Sequence, residues 1–224
     1  MTKKNLDWWC CRAWVKFGFA LTLVITIAAL INWERWNDEV KILASVAALI
    51  PVHVIEEWVF PGGFHYHYNL LMKSKEPNST PMCRLSDMFT NLLTTVMYAL
   101  FTICCLIRGS VPAGLLLATL CFSILEVFAH TLFGTLMYFR FRDKGKTTIY
   151  GPGSITAYLG FGVIGTLSWY SIRSIQIQGS DIALCLIVLG IILFLFILIP
   201  ENIIKRVKKT PYAFESAGYY QRFL

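Results

Sequence analysis

Apolar residues run along this chain in long blocks, and the polar residues gather between them. Six blocks reach the length of about 20 residues that a helix needs to cross a hydrocarbon core. They extend approximately from Trp14 to Asn32, Val40 to Phe60, Met88 to Ile107, Pro112 to Phe139, Ser154 to Ile175 and Ile182 to Ile204. The last contains IALCLIVLGIILFLFILI, with no charged residue. Barrel strands would show period-two alternation over about ten residues, and that pattern is missing. The chain is therefore expected to be an all-α polytopic membrane protein. A single six-helix bundle over residues 1–224 accounts for it, with no appended soluble domain and no internal repeat. The longest interval between spans is Pro61–Asp87. The basic N-terminus followed by an apolar run resembles a signal peptide, but the run is too long and ends in Asn-Trp-Glu-Arg without a small-residue cleavage site. It is expected to stay as the first span.

Composition agrees. Only 15% of residues are charged, against about 25% in a soluble domain, and the mean hydropathy is +0.60. A soluble enzyme, a disordered tail and a nucleic-acid-binding module are excluded, although the net charge is +7. The distribution of that charge is informative. Lys3, Lys4, Arg12, Lys16, Lys73, Lys75, Arg84, Arg140, Arg142, Lys144, Lys146, Lys205, Arg206, Lys208, Lys209 and Arg222 fall on one side of the six-span arrangement, which is sixteen of the 20 basic residues. Arg35, Lys41, Arg108 and Arg173 fall on the other. Cytoplasmic loops carry the excess of Lys and Arg, so both termini are expected in the cytoplasm, with a bacterial inner membrane or its equivalent as the location.

Ionisable residues inside the spans are costly in lipid and usually face a bundle interior, a cavity or a partner. The second span carries His53, Glu56 and Glu57, and the fourth carries Glu126 and His130. Asp87 and Asn91 stand at the start of the third. Residues three or four apart share a helix face. His53 therefore shares a face with both Glu56 and Glu57, and Glu126 shares one with His130. At about 1.5 Å per residue, both histidines lie roughly 12–14 Å in from the cytoplasmic ends of their helices.

Imidazole and carboxylate at these spacings suit a divalent metal, either zinc or iron or manganese. His53, Glu57, His130 and Glu126 are the expected ligands, with Glu126 alternatively orienting an imidazole, and no organic cofactor is evident. The order His53-Val-Ile-Glu56-Glu57 resembles the inverted zincin pattern His-x-x-Glu-His, which makes Glu56 the expected catalytic base. The favoured reading is a metal-dependent hydrolase acting on a lipid-like amphiphile from the inner leaflet. A proton- or cation-coupled transporter would use the same groups, and so would a structural bundle glued by hydrogen bonds. Four histidines are too few for an eight-histidine membrane di-iron hydroxylase.

Two stretches carry a family resemblance. His53-Val-Ile-Glu56-Glu57-Trp58, followed by Phe60-Pro61-Gly62-Gly63-Phe64, resembles the signature of the HxxEE family of integral membrane proteins. Tyr150-Gly151-Pro152-Gly153-Ser154-Ile155-Thr156-Ala157 is similar to the family's Tyr-x-Pro-Gly-x-x-Thr segment, which follows a histidine-bearing helix. The resemblance supports the His/Glu site and adds Tyr150 and Thr156 to a lining in which Asn91 is already expected from its depth, but it supplies no reaction or substrate.

Three further features are weighed on their chemistry. Phe64-His65-Tyr66-His67-Tyr68-Asn69 is expected as an aromatic belt at the headgroup level, with a lid over the site as the alternative. Ser154 is expected to cap the fifth span. Cys10 and Cys11 are expected as interfacial apolar residues, or as palmitoylation sites in a eukaryote. The partners expected are the bilayer and a small amphiphile, with no nucleic acid. The orientation is directly testable: a reporter fused after Leu224 should report a cytoplasmic position, and one inserted between Asn32 and Val40 an external one. A C-terminus on the external side would refute the six-span arrangement.

Overall fold

The computed structural model describes residues 7–207 and 210–224, except for the side chains of Cys11 and Arg12. Lys3, Lys4, Lys208 and Lys209, on which the orientation partly rests, lie outside the described residues, as do the side chains of Arg12 and Cys11. The described residues form helices and contain no strand.

The long helices follow the apolar blocks. They are α1 (Trp14–Ile31), α2 (Asp38–Trp58), α4 (Arg84–Arg108), α5 (Ala113–Phe141), α6 (Ser154–Ile172) and α7 (Gly179–Lys205). The Pro61–Asp87 interval between spans holds a short helix, α3 (Phe64–Leu71). The start of α2 is fixed locally: Asn37 caps it by accepting from the Val40 amide at 2.9 Å, and Asp38 and Glu39 fill the first turn, where carboxylates oppose the helix dipole. Gly109, at φ +76°, ends α4, a conformation that suits glycine.

Five helices, all but α2 and α3, are long and apolar enough to cross a membrane. Helix α2 is long enough at 21 residues, but its Asp, Glu, Lys and His residues lower its hydropathy. Its position offsets that polarity. It packs against α1 on one side and α4 on the other and also touches α5 and α6, and twelve of its 21 residues are buried. Helices α1 and α7 are peripheral, with only 17% of their apolar windows buried. Their outward faces carry exposed apolar side chains such as Leu23, Ile27 and Leu186. Such a surface suits lipid, because no aqueous surface leaves so many large apolar side chains uncovered.

Two irregularities matter for the site. Helix α6 opens as a short turn (Ser154–Thr156) and then widens into a π segment (Ala157–Phe161) before regular α geometry resumes. Gly160 in that segment lets the backbone approach α2, since a Cβ there would stand 2.6 Å from Leu49. The second irregularity is the C-terminal segment, which folds back over α3 and ends in a 3-10 turn (Gly218–Phe223). Tyr66, Met137, Phe141, Ala217, Tyr220 and Phe223 form a second small apolar core there.

Candidate metal centre

Helices α2 and α5 bring their imidazoles face to face. His53 Nε2 and His130 Nε2 are 3.2 Å apart, with their rings nearly perpendicular. Glu57 Oε1 lies 3.3 Å from His53 Nε2 and 3.6 Å from His130 Nε2. Glu126 Oε2 lies 3.7 Å from each. One atom each from His53, Glu126 and His130 falls within 4.8 Å of the others, and Glu57 adds a fourth donor close to both imidazoles. Donors bound tetrahedrally at about 2.0–2.2 Å stand about 3.3–3.6 Å apart, close to the separations seen here. No other group of three or more His, Cys, Asp or Glu side chains among the described residues reaches such proximity.

The outer nitrogen of His53 fixes which of its ring atoms carries the proton. His53 Nδ1 lies 2.6 Å from Thr156 Oγ1. The single proton of that hydroxyl is committed to Glu56 Oε2 at 2.6 Å or to the Gly153 carbonyl at 3.2 Å, and both of these only accept. Thr156 must therefore accept from His53 Nδ1–H, which leaves Nε2 with a lone pair in the neutral ring. His130 Nδ1 makes no hydrogen bond, and its ring is seated against Gly153 instead. The lone pair of a neutral His53 ring, the second imidazole and two carboxylates then converge.

Both imidazoles are thus oriented by one short stretch, Pro152–Thr156. Gly153 has φ +91°, and a Cβ there would run into the His130 ring, so only glycine meets both demands.

Glu56 occupies a different position from the base expected of it. Tyr150 Oη donates to its Oε1 at 3.2 Å and the Ile155 amide at 3.0 Å. The Thr156 amide donates to Oε2 at 2.9 Å, alongside the Thr156 hydroxyl. With four donors, Glu56 ties the start of α6 to α2 at the positive end of a helix. Tyr150 reaches the site through Glu56, whereas Thr156 also meets His53 directly. Ser154 accepts from the Gly151 amide at 3.1 Å, inside the turn that carries this stretch. Asn91 lines a cavity of about 40 Å³ with His53, Glu126, Phe122 and Phe161, and it also donates to Asp87 at 2.9 Å. Asp87 in turn accepts a very close hydrogen bond from the Trp58 indole.

The family comparison can be set against this geometry. The family model described as "protein of unknown function with HXXEE motif" matches residues 44–170, more than half of the chain. The chain belongs to this HXXEE family. The matched region holds the motif residues His53, Glu56 and Glu57 and also Glu126, His130, Tyr150 and Thr156. Among curated proteins and solved structures, none matches the chain.

The aromatic stretch at α3 departs from the expected belt. His65, His67 and Asn69 are buried. Neither histidine joins the cluster: His65 Nε2 meets the Ser216 carbonyl at 3.1 Å and His67 Nδ1 meets Tyr220 Oη at 2.9 Å. Phe64 stands between them and the centre, 5.1 Å from the His130 ring. The C-terminal aromatics supply the cover, since Phe214 stacks on His65 at 3.6 Å.

Burial pushes His65 and His67 down to about 3 from the ordinary 6.5, with nearby positive groups adding to the effect. The unfolded chain therefore binds more protons than the folded one between those values. These two residues leave stability intact above about pH 6.5 and erode it as the pH falls toward 3. Thermal unfolding from pH 7.5 to 4.5 should show a shallower acid slope for His67→Gln than for wild type. Equal slopes would mean that His67 is not held neutral by burial.

Proposed function

We propose that His53, Glu57, Glu126 and His130 bind one divalent metal ion and that the protein is a metal-dependent membrane enzyme. The carrying observation is the convergence of donors: Glu57 and Glu126 each bring an oxygen within 3.7 Å of both imidazole Nε2 atoms, which themselves stand 3.2 Å apart in the bundle interior. Such a set, buried away from water, requires a cation to offset its desolvation. The mixed N/O ligand set fits zinc first, with iron or manganese as alternatives. When bound, the ion would supply a Lewis acid and a water of lowered pKa.

The protein's own groups divide the remaining work. His53 is held by Thr156, and the His130 ring is seated on Gly153. Such outer partners typically alter metal affinity by about 10–100-fold when removed. Glu56 carries no free lone-pair role at the centre in this reading, and its task is to lock Thr156 and hence His53. Glu126 is the carboxylate of the set that lines the cavity, with a side chain 26% exposed against 5% for Glu57. It is therefore the carboxylate able to take a proton from a molecule held there. The cavity exceeds the roughly 10–15 Å³ that one water needs. The reaction is read as hydrolysis of an amphiphile entering from the cytoplasmic leaflet. In this reading α2 crosses the membrane as the shielded sixth span, and both termini are cytoplasmic.

Metal content decides the proposal. Purified wild type should carry about one equivalent of zinc, iron or manganese per chain. His53→Ala, Glu57→Ala and His130→Ala should each lose it. Glu56→Gln should bind the same ion about 10–100-fold more weakly. A wild-type protein still empty after excess metal would reject the enzyme reading and favour a proton- or cation-coupled carrier using the same groups.

A further inference from the structure

A cavity of about 750 Å³ touches none of the four proposed ligands. It lies between α1, the end of α2 and the C-terminal segment, on the side of α2 that carries Ile55 and Val59. Its volume falls within the range of about 300–1,000 Å³ usual for small-molecule sites.

Its lining is ordered along the membrane normal. Lys16 near the start of α1, Arg84 at the start of α4, the Gly62–Gly63 turn after α2 and Glu215 lie at the level where helices begin and end. Phe19 is one turn further into α1 than Lys16, and Ile55 one turn further into α2 than Val59, so each lies about 5 Å deeper. Polar groups thus crowd one end and apolar groups the other. The exposed Phe19 continues the apolar end onto the outer surface of the bundle, and the exposed Val59 and Phe60 flank the polar end.

The charges at the polar end do not cancel. Arg84 Nη1 pairs with Glu215 at 3.6 Å. That side chain is 87% exposed, so the pair is weak. Among the described residues Lys16 has no ion-pair partner, and the buried Arg84 Nε has no hydrogen-bond acceptor. Two cations against one carboxylate leave a single positive charge, which matches the single negative charge of a phosphodiester. Lys and Arg are the usual binders of such a group.

We propose that this cavity is a binding site for a glycerophospholipid of the surrounding bilayer. The phosphodiester sits between Lys16 and Arg84, and the first part of one acyl chain descends past Val15, Phe19 and Ile55. The remainder of the lipid lies along the exposed face of Phe19, Val59 and Phe60. This site stands independently of the metal centre, because the two share no residue.

Native mass spectrometry of the full chain in dodecyl maltoside tests it, with palmitoyl-oleoyl phosphatidylglycerol as the probe and palmitoyl-oleoyl glycerol as the phosphate-free comparison. Wild type should bind one phospholipid per chain and bind the diacylglycerol at least about tenfold more weakly. Lys16→Glu, a change at an exposed position, should weaken phospholipid binding by about tenfold, and Glu215→Lys should strengthen it. Lys144→Glu, away from the cavity, should leave binding unchanged. Equal binding of the two lipids, a Lys16→Glu chain that binds as wild type does, or equal weakening by Lys144→Glu would each overturn the proposal. Metal content measured on the same samples keeps this result separate from the fate of the metal reading.

Discussion

Two carboxylates and two imidazoles packed together inside an apolar bundle are the constraint around which this molecule is built. Each such group loses its water on folding, and an uncompensated buried charge costs several kcal/mol, about 2.5–3.5 on insertion scales. The helix arrangement follows from shielding them. Helix α2, the most heavily charged of the long helices, takes the interior position, and less charged helices pack around it. Its buried face carries His53, Glu56 and Glu57, while α5 supplies His130 and Glu126 opposite.

The stretch from Tyr150 to Thr156 turns that proximity into a defined site. It reaches His53 through the Thr156 hydroxyl and His130 through Gly153, and it is itself anchored by Glu56. A single loop therefore sets the orientation of both rings. The π segment that follows brings Phe161 onto His53 at 5.3 Å, and π turns of this kind often lie at functional positions. Asp87, bonded to Trp58 and Asn91, extends the polar network toward the end of α2 and the start of α4.

Much of this was legible in the sequence because helices in lipid leave a strong periodic record. The six long helices begin and end within a few residues of the apolar blocks, and the four-residue spacing put His53 with Glu57 and Glu126 with His130. Spacing could not separate Glu56 from Glu57, however, since residues three and four along from His53 share its face equally. Only the arrival of Ile155 and Thr156, about a hundred positions away, distinguishes an anchoring carboxylate from one at the centre. The same limit explains α3. Its histidines read as surface aromatics because their partners, Ser216 and Tyr220, lie 151 and 153 positions further on. Local pattern carries no trace of contacts at that distance.

The central claim is that the four side chains form the coordination sphere of one ion. X-ray absorption spectroscopy of the metal-loaded protein in a lipid nanodisc tests it most directly. The account predicts a nearest shell of about four nitrogen and oxygen atoms at about 2.0–2.2 Å, with the outer-shell scattering of two imidazoles, and the loss of one imidazole in His130→Ala. A shell of six oxygens without imidazole scattering, or a spectrum unchanged by His130→Ala, would contradict it.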